Sequence, residues 1–294
     1  MPDPPHPIGV SATGGLAARD IAAIHELSEA VRATDGVTLK LNPDLMSAPP
    51  DGDCNDFCFY NGNHLVGYAQ IDDEGAEQEI TGAVLPAFRR RGIFRQLLKQ
   101  ARDEARRRGA DRLLLVNYRA STAGVAAAQA LGLPYRFSEY HMEAESSALP
   151  ALSPGTVRLV TVGPEEIGAL AQLTARSFGE ARRSLEALAA ALQQPGVRYY
   201  LAEHDGVQIG QIGVIVPDDP AGGVYLRGFG VVPEQRRRGY GRQLLAATLQ
   251  AMRSEGQTRF SLDVATDNAQ ALSLYESCGF RATNIYDYHT VAVA

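Results

Sequence analysis

The residues best suited to chemistry in this chain form a short basic turn and, further along, a helix pattern with a tyrosine. The turn reads Arg236-Arg237-Arg238-Gly239-Tyr240-Gly241-Arg242 and follows an apolar run ending at Val231 and Val232. Gly239 is placed to open a helix. The first N–H groups of a helix lack intrahelical acceptors, and the dipole is positive there. Gly239 and Gly241 carry no Cβ, so a bulky anion reaches the backbone, and the arginines add charge-assisted donors. This chemistry suits a pyrophosphate. The turn is not a P-loop, because the closing Gly-Lys-Ser/Thr is missing. It is not a dinucleotide fingerprint either, because the third glycine is missing.

The helix pattern runs from Asn268 to Phe280, with Ala271, Leu274, Tyr275 and Gly279 between them. Asn268 at the helix start either caps it or turns its amide to a ligand. Ala271, Leu274 and Tyr275 share a face, and Gly279 ends the helix. A tyrosine with the ordinary pKa of ~10 is protonated at neutral pH and can serve as a proton donor.

Together these residues resemble the GCN5-related N-acetyltransferase (GNAT) superfamily. Its coenzyme motif, Gln/Arg-x-x-Gly-x-Gly/Ala, is matched by Arg236, Gly239 and Gly241. Its second motif is matched from Asn268 to Phe280. The resemblance implies an acyl-CoA N-acyltransferase fold and acetyl-CoA as co-substrate. The backbone of Val231 and Val232 would hold the coenzyme. Its pyrophosphate would lie on the turn Arg238, Gly239, Tyr240, Gly241 and Arg242, and Arg236, Arg237 and Asn268 would also belong to the coenzyme site. The acetyl carbonyl would sit where strands 224–232 and 260–264 splay apart, with Tyr275 as general acid. Many members carry a glutamate on the strand before the turn. That position is Tyr225 here, and the repeat described below aligns it with Gln78. Arg227 shares the face of Tyr225, Asp263 reads as structural, and His204 and His289 are isolated. No base is assigned.

The elements that must position these residues occur twice. Val84 to Leu98 and Val231 to Leu245 read alike, and the match continues without a gap to Gly132 and Gly279. The shared residues include Val84, Pro86, the run Arg89 to Gly92, Arg95 to Leu98, Gly109 and Gly132. The chain is therefore a tandem duplication of 294 residues with an offset of half its length. The Ser/Pro/Gly-rich stretch 146–155 reads as a linker. Two domains follow, 1–147 and 156–294. In each, the patterns give an α+β fold with a mixed, mostly antiparallel sheet flanked by helices. In the second half, strand 157–161 precedes helices near 164–178 and 185–192. A hairpin turns at His204-Asp205-Gly206, and another turn is expected at 217–223. The last strands, near 286–293, are expected to close the second domain. In the first half, helix 17–31 precedes a hairpin at Asn61-Gly62.

The halves differ at the sites of interest. Gly241 corresponds to Phe94, Tyr275 to Ala128 and Asn268 to Ser121. The first half thus reads as a catalytically reduced copy, and the two could sit as an intramolecular pseudo-dimer, in a monomer or a homodimer. The layout is similar to that of the mycothiol synthases, in which one half works, although their strand glutamate is absent at Tyr225. The net charge of −6 argues against nucleic acid as the main partner. Cys54, Cys58 and Cys278 form neither a disulfide framework nor a metal site. No apolar stretch reaches membrane-span length, and the N-terminus lacks signal-peptide features, so a cytoplasmic location is expected. The leading expectation is acetyl transfer from acetyl-CoA to a small-molecule amine. Peptide or protein N-acetylation, and a non-catalytic coenzyme A sensor, are the alternatives.

Overall fold

The computed structural model describes residues 8–13, 15–41, 46, 53–72, 77–151, 153, 155–179, 185–217 and 222–293. Residues 218–221 of the expected turn, and 152 and 154 of the expected linker, lie outside these. Two compact units are present. Unit 1 is Met1–Ser138 with Ile285–Ala294, and unit 2 is Glu139–Asn284.

In unit 1 the strands β1 (Gly9–Thr13), β2 (Asp56–Asn61), β3 (His64–Asp72), β4 (Glu79–Val84) and β5 (Arg112–Tyr118) are neighbours in chain order. All pair antiparallel except β4 and β5, which are parallel. The helices are α1 (Ala18–Asp35), α2 (Ile93–Arg107) and α3 (Thr122–Ala130). Strand alternation decides which helix covers which face. Phe57 and Phe59 turn to the side of α2, where Leu97, Leu98 and Ala101 repeat at helical spacing. Cys58 and Tyr60 turn to α1, against Ile24, Leu27 and Val31. Leu97 is fully enclosed, and such burial contributes about 1.5–3 kcal/mol.

Unit 2 repeats the plan. Its strands are β7 (Arg158–Thr161), β8 (Val197–His204), β9 (Val207–Ile215), β10 (Val224–Val231) and β11 (Arg259–Ala265), with β10 and β11 parallel. Helices α4 (Ile167–Phe178) and α5 (Leu185–Leu192) cover one face through Leu170, Leu173 and Leu188. Helices α6 (Tyr240–Ser254) and α7 (Ala269–Ser277) cover the other, with Leu244, Leu245, Leu249 and Tyr275 against Leu226 and Leu262. The hairpin at His204 forms as expected. Asp205 and Gly206 both have positive φ, 50° and 77°, the combination a two-residue turn between right-twisted strands requires.

Each unit finishes its sheet with a strand from the other half of the sequence. Residues Tyr286 to Ala292 of β12 (Arg281–Ala292) pair with β5 in unit 1. Residues Glu139 to Glu145 of β6 (Tyr135–Glu145) pair with β11 in unit 2. The last strand therefore completes the first unit, where the sequence places it in the second. The pattern of a strand fixes which face is buried, and it does not state which edge the strand joins.

A second difference concerns register. β3 and β4 pair without a shift, from Gly67 opposite Val84 to Asp72 opposite Glu79. Between β9 and β10 the register slips at Arg227 to Gly230, where Gly228 has φ 56°. This bulge gives β10 one residue more than β4. The parallel rungs agree, with Glu79 opposite Leu114 and Tyr225 opposite Ser261. The structural counterpart of Tyr225 is thus Glu79, and the alignment with Gln78 is corrected. Beyond the bulge, Phe229 corresponds to Gly82.

Candidate active site

In both units the parallel pair separates early. β10 and β11 are paired only from Val224/Phe260 to Leu226/Leu262, and β4 and β5 only at Glu79/Leu114 and Ile80/Leu115. After each splay comes a short 3-10 turn, Pro233–Gln235 or Pro86–Phe88, and then a glycine in the left-handed region. Gly239 at φ 82° precedes α6, and Gly92 at φ 77° precedes α2. No side chain caps either helix, so the first-turn amides are left to an external acceptor.

The arginines of the turn divide into two groups. Arg236 is exposed but tied back to the fold, its guanidinium donating to the Val231 carbonyl at 2.8 Å and the Ser177 carbonyl at 2.6 Å. Its counterpart Arg89 does the same with the Val84 carbonyl and is bound to Asp35. These two arginines fasten the turn to the preceding strand. Arg237, Arg238 and Arg242 are exposed, with Arg242 donating to the Ser277 hydroxyl at 2.6 Å. Arg237 itself has φ 62°, matching Arg90 at 63° in unit 1. The backbone at Val231 and Val232 is largely engaged within the fold. The Val231 carbonyl accepts from Arg236, the Val232 N–H donates to Ile209, and the Val232 carbonyl accepts from Gln235. Tyr240 leans on His204, with ring centroids 4.6 Å apart.

Asn268 adopts the capping role, its Oδ1 accepting from the Ala271 N–H at 3.1 Å. Ser121 caps α3 in the same way. Tyr275 is buried, 7% exposed, with its ring 5.8 Å from Phe229 and 6.0 Å from Phe280. Burial, and to a lesser degree the neighbouring Cys278 thiol, pushes its pKa up. The hydroxyl therefore holds its proton throughout the neutral range. Phe229 and Leu274 stand over the start of α6, each 3.4 Å from where a Cβ on Gly241 would lie.

Unit 1 differs here in volume. A cavity of about 490 Å³ runs from the β4–β5 splay to the start of α2. Thr81 to Val84, Gly92 to Arg95, Asn117 and the small residues of α3 line it, with Lys40 and Tyr286 in its wall. The reason is legible in paired positions: Gly82, Ala127 and Ala128 replace Phe229, Leu274 and Tyr275. Phe94, in place of Gly241, lines this cavity and packs against the core cluster around Leu97. Lys40 Nζ lies 3.3 Å from Glu79 and donates to the Tyr288 hydroxyl at 2.7 Å. Glu79 and Lys40 are thus site-adjacent residues that the sequence did not single out. The glycines flanking Phe229, which mark the bulge, were the available signal for Glu79.

Among the described residues no helix is long and apolar enough to cross a membrane. The model of the acetyltransferase (GNAT) family matches residues 27–132 and again 167–280. The chain is 31% identical over 278 residues to a mycothiol acetyltransferase of Thermomonospora curvata, covering 90% of this chain and 92% of that protein. A mycothiol acetyltransferase of Thermobispora bispora is also 31% identical, over 281 residues, covering 89% and 92%. Two solved structures share the fold. One is a GCN5-related N-acetyltransferase from Sphaerobacter thermophilus, with TM-score 0.75, 19% identity and coverage of 97% and 96%. The other is a tandem GNAT protein from the clavulanic acid biosynthesis pathway, with TM-score 0.68, 23% identity and coverage of 97% and 99%.

Proposed function

Because the chain belongs to the acetyltransferase (GNAT) family, we propose that it transfers an acetyl group from acetyl-CoA to a small-molecule amine at unit 2. It is an N-acetyltransferase. The observation that carries the site is the pairing of an uncapped, glycine-led helix start at α6 with a buried, protonated tyrosine on α7. Exposed Arg237, Arg238 and Arg242 and the first amides of α6 would receive the pyrophosphate. The amine nitrogen attacks the thioester carbonyl, the C–N bond forms and the C–S bond breaks. Tyr275 gives its proton to the departing sulfur, and the proton that the attacking nitrogen loses as it becomes the amide restores the phenol. The relatives named mycothiol acetyltransferase favour a small-molecule acceptor over a peptide.

A second reading concerns unit 1. Its cavity lies beside the equivalent helix start and would take a further acetyl-CoA without Tyr275 chemistry, because Ala128 stands there. One experiment tests both readings. Calorimetry with acetyl-CoA should give two sites per chain. Gly92→Glu should remove one site and leave turnover. Gly239→Glu should remove the other and abolish turnover, with at least a tenfold loss of affinity, about 1.4 kcal/mol. Turnover lost only in Gly92→Glu would move the reaction to unit 1.

A further inference from the structure

Acetyl transfer needs an uncharged amine, whereas an aliphatic amine reaches the enzyme as its ammonium at neutral pH. A proton acceptor is therefore required, and neither the arginine turn nor the protonated Tyr275 supplies one. In unit 2 a polar cluster straddles the last paired rung before the splay, Leu226 opposite Leu262. Tyr225 is the residue before that rung on β10, and Asp263 the residue after it on β11. Leu226, Leu262 and Met142 face the α6–α7 core, so by strand alternation Tyr225, Asp263 and His141 share the opposite face. The Asp263 carboxylate sits between its two neighbours. The Tyr225 hydroxyl donates to its Oδ2 at 3.1 Å, and His141 Nδ1 is 2.7 Å from its Oδ1. The Asp263 side chain is 8% exposed and that of His141 18%. On the same face Glu143 lies 3.5 Å from His141 Nε2. Glu139 precedes His141 by two residues, and Arg227 follows Tyr225 by two, over the ring of Tyr199. The Thr283 hydroxyl donates to the His141 carbonyl.

We propose that Asp263 is the general base for the acceptor amine, working through the Tyr225 hydroxyl, with His141 as its positioning residue. This rests on the assignment of the reaction to unit 2. In the step, an ammonium N–H bond breaks and its proton passes to the Tyr225 oxygen. The phenolic proton moves at the same time to Asp263 Oδ2. The amine is left neutral, Tyr225 is unchanged and Asp263 becomes the neutral acid. His141, with its proton on Nδ1, holds Oδ1 and keeps Oδ2 turned to Tyr225. Two hydrogen-bond partners fix the orientation of the carboxylate.

The test exploits the fact that only a protonated acceptor must lose a proton before it can attack. The full chain is assayed at pH 7 with the best aliphatic primary amine from a panel of amino sugars and amino-acid amides. It is assayed in parallel with a hydrazide, which is uncharged at that pH. Tyr225→Phe and Asp263→Asn should lower kcat about 10²-fold or more with the amine and less than about threefold with the hydrazide. Their deficit with the amine should shrink as pH rises toward the pKa of that amine. His141→Ala should show the same selectivity, and His141→Asn, which keeps a donor near the Nδ1 position, should restore most of the rate. Equal losses with both acceptors, or no loss with the amine, would overturn the relay alone. A wild-type chain that acetylates neither acceptor would overturn the acetyltransferase site and the relay with it.

Discussion

Filling the cavity of unit 1 separates its volume from its function. Ala127 lines the cavity and is half-buried, while its counterpart Leu274 occupies the matching place on α7. Ala127→Leu therefore introduces a side chain that the same fold already accommodates in unit 2. Leucine costs a helix little relative to alanine. Three added carbons at about 0.8 kcal/mol per buried CH₂ set a ceiling near 2 kcal/mol, and partial exposure leaves about 1 kcal/mol of stabilisation. For a chain of this size, that raises the melting temperature by about 2–4 °C. Differential scanning calorimetry reads the stability, and isothermal titration with acetyl-CoA reads the stoichiometry. The expected result is a more stable chain that binds one acetyl-CoA where the parent binds two. A destabilised variant would mean that the void does not accept a branched side chain. A stabilised variant that still binds two would mean that the cavity is not a coenzyme site.

Tyr275→Phe should lower turnover by about 10²–10⁴-fold with acetyl-CoA affinity within threefold, measured by steady-state kinetics and calorimetry. Wild-type turnover would leave Tyr275 as a packing residue against Phe229 and Phe280. Asp56 is buried beneath Tyr68, and burial raises its pKa from 3.8 to about 6, against the opposing hydrogen bonds of Tyr68 and Gln70. Its folded pKa lies above its unfolded one, so its ionisation costs stability from about pH 4 upward, and the full cost is reached above pH 6. Asp56→Asn should thus gain about 1–3 kcal/mol at pH 7.5 and almost nothing at pH 3.5, by urea unfolding at each pH. An equal gain at both would refute the titration argument.

Much of this arrangement was legible in the residues. The duplicated Arg-Arg-Arg-Gly turn located both helix starts, because left-handed glycine, uncapped amides and flanking arginines are local properties. The Asp205-Gly206 turn and the Asn268 cap were legible for the same reason. The exchange of β6 and β12 was not, since edge choice depends on pairings formed far along the chain. The division of labour within the turn was also hidden. Nothing in a run of arginines singles out Arg236 as the one bound to the carbonyls of Val231 and Ser177. The cavity was hidden because its small lining residues, Gly82 on β4 and Ala127 on α3, lie far apart in sequence and meet only in the fold. The bulge at Gly228 shows how a single extra residue misleads a fixed-offset alignment and conceals Glu79.

The exchanged strands also set an order of events in synthesis. Unit 1 takes its final strand from residues 285–294, so its sheet keeps an open edge at β5 while the whole second half is translated. At about 5–20 residues per second, that edge waits for roughly 10–30 seconds. An unpaired edge is a template for wrong partners. Unit 2, by contrast, receives Glu139 to Glu145 before any of its other strands has emerged. Cutting the gene at the linker would leave the first product without its closing strand and the second without the one that pairs β11. The two copies, similar as they are, each depend on the other half of the sequence for a complete sheet.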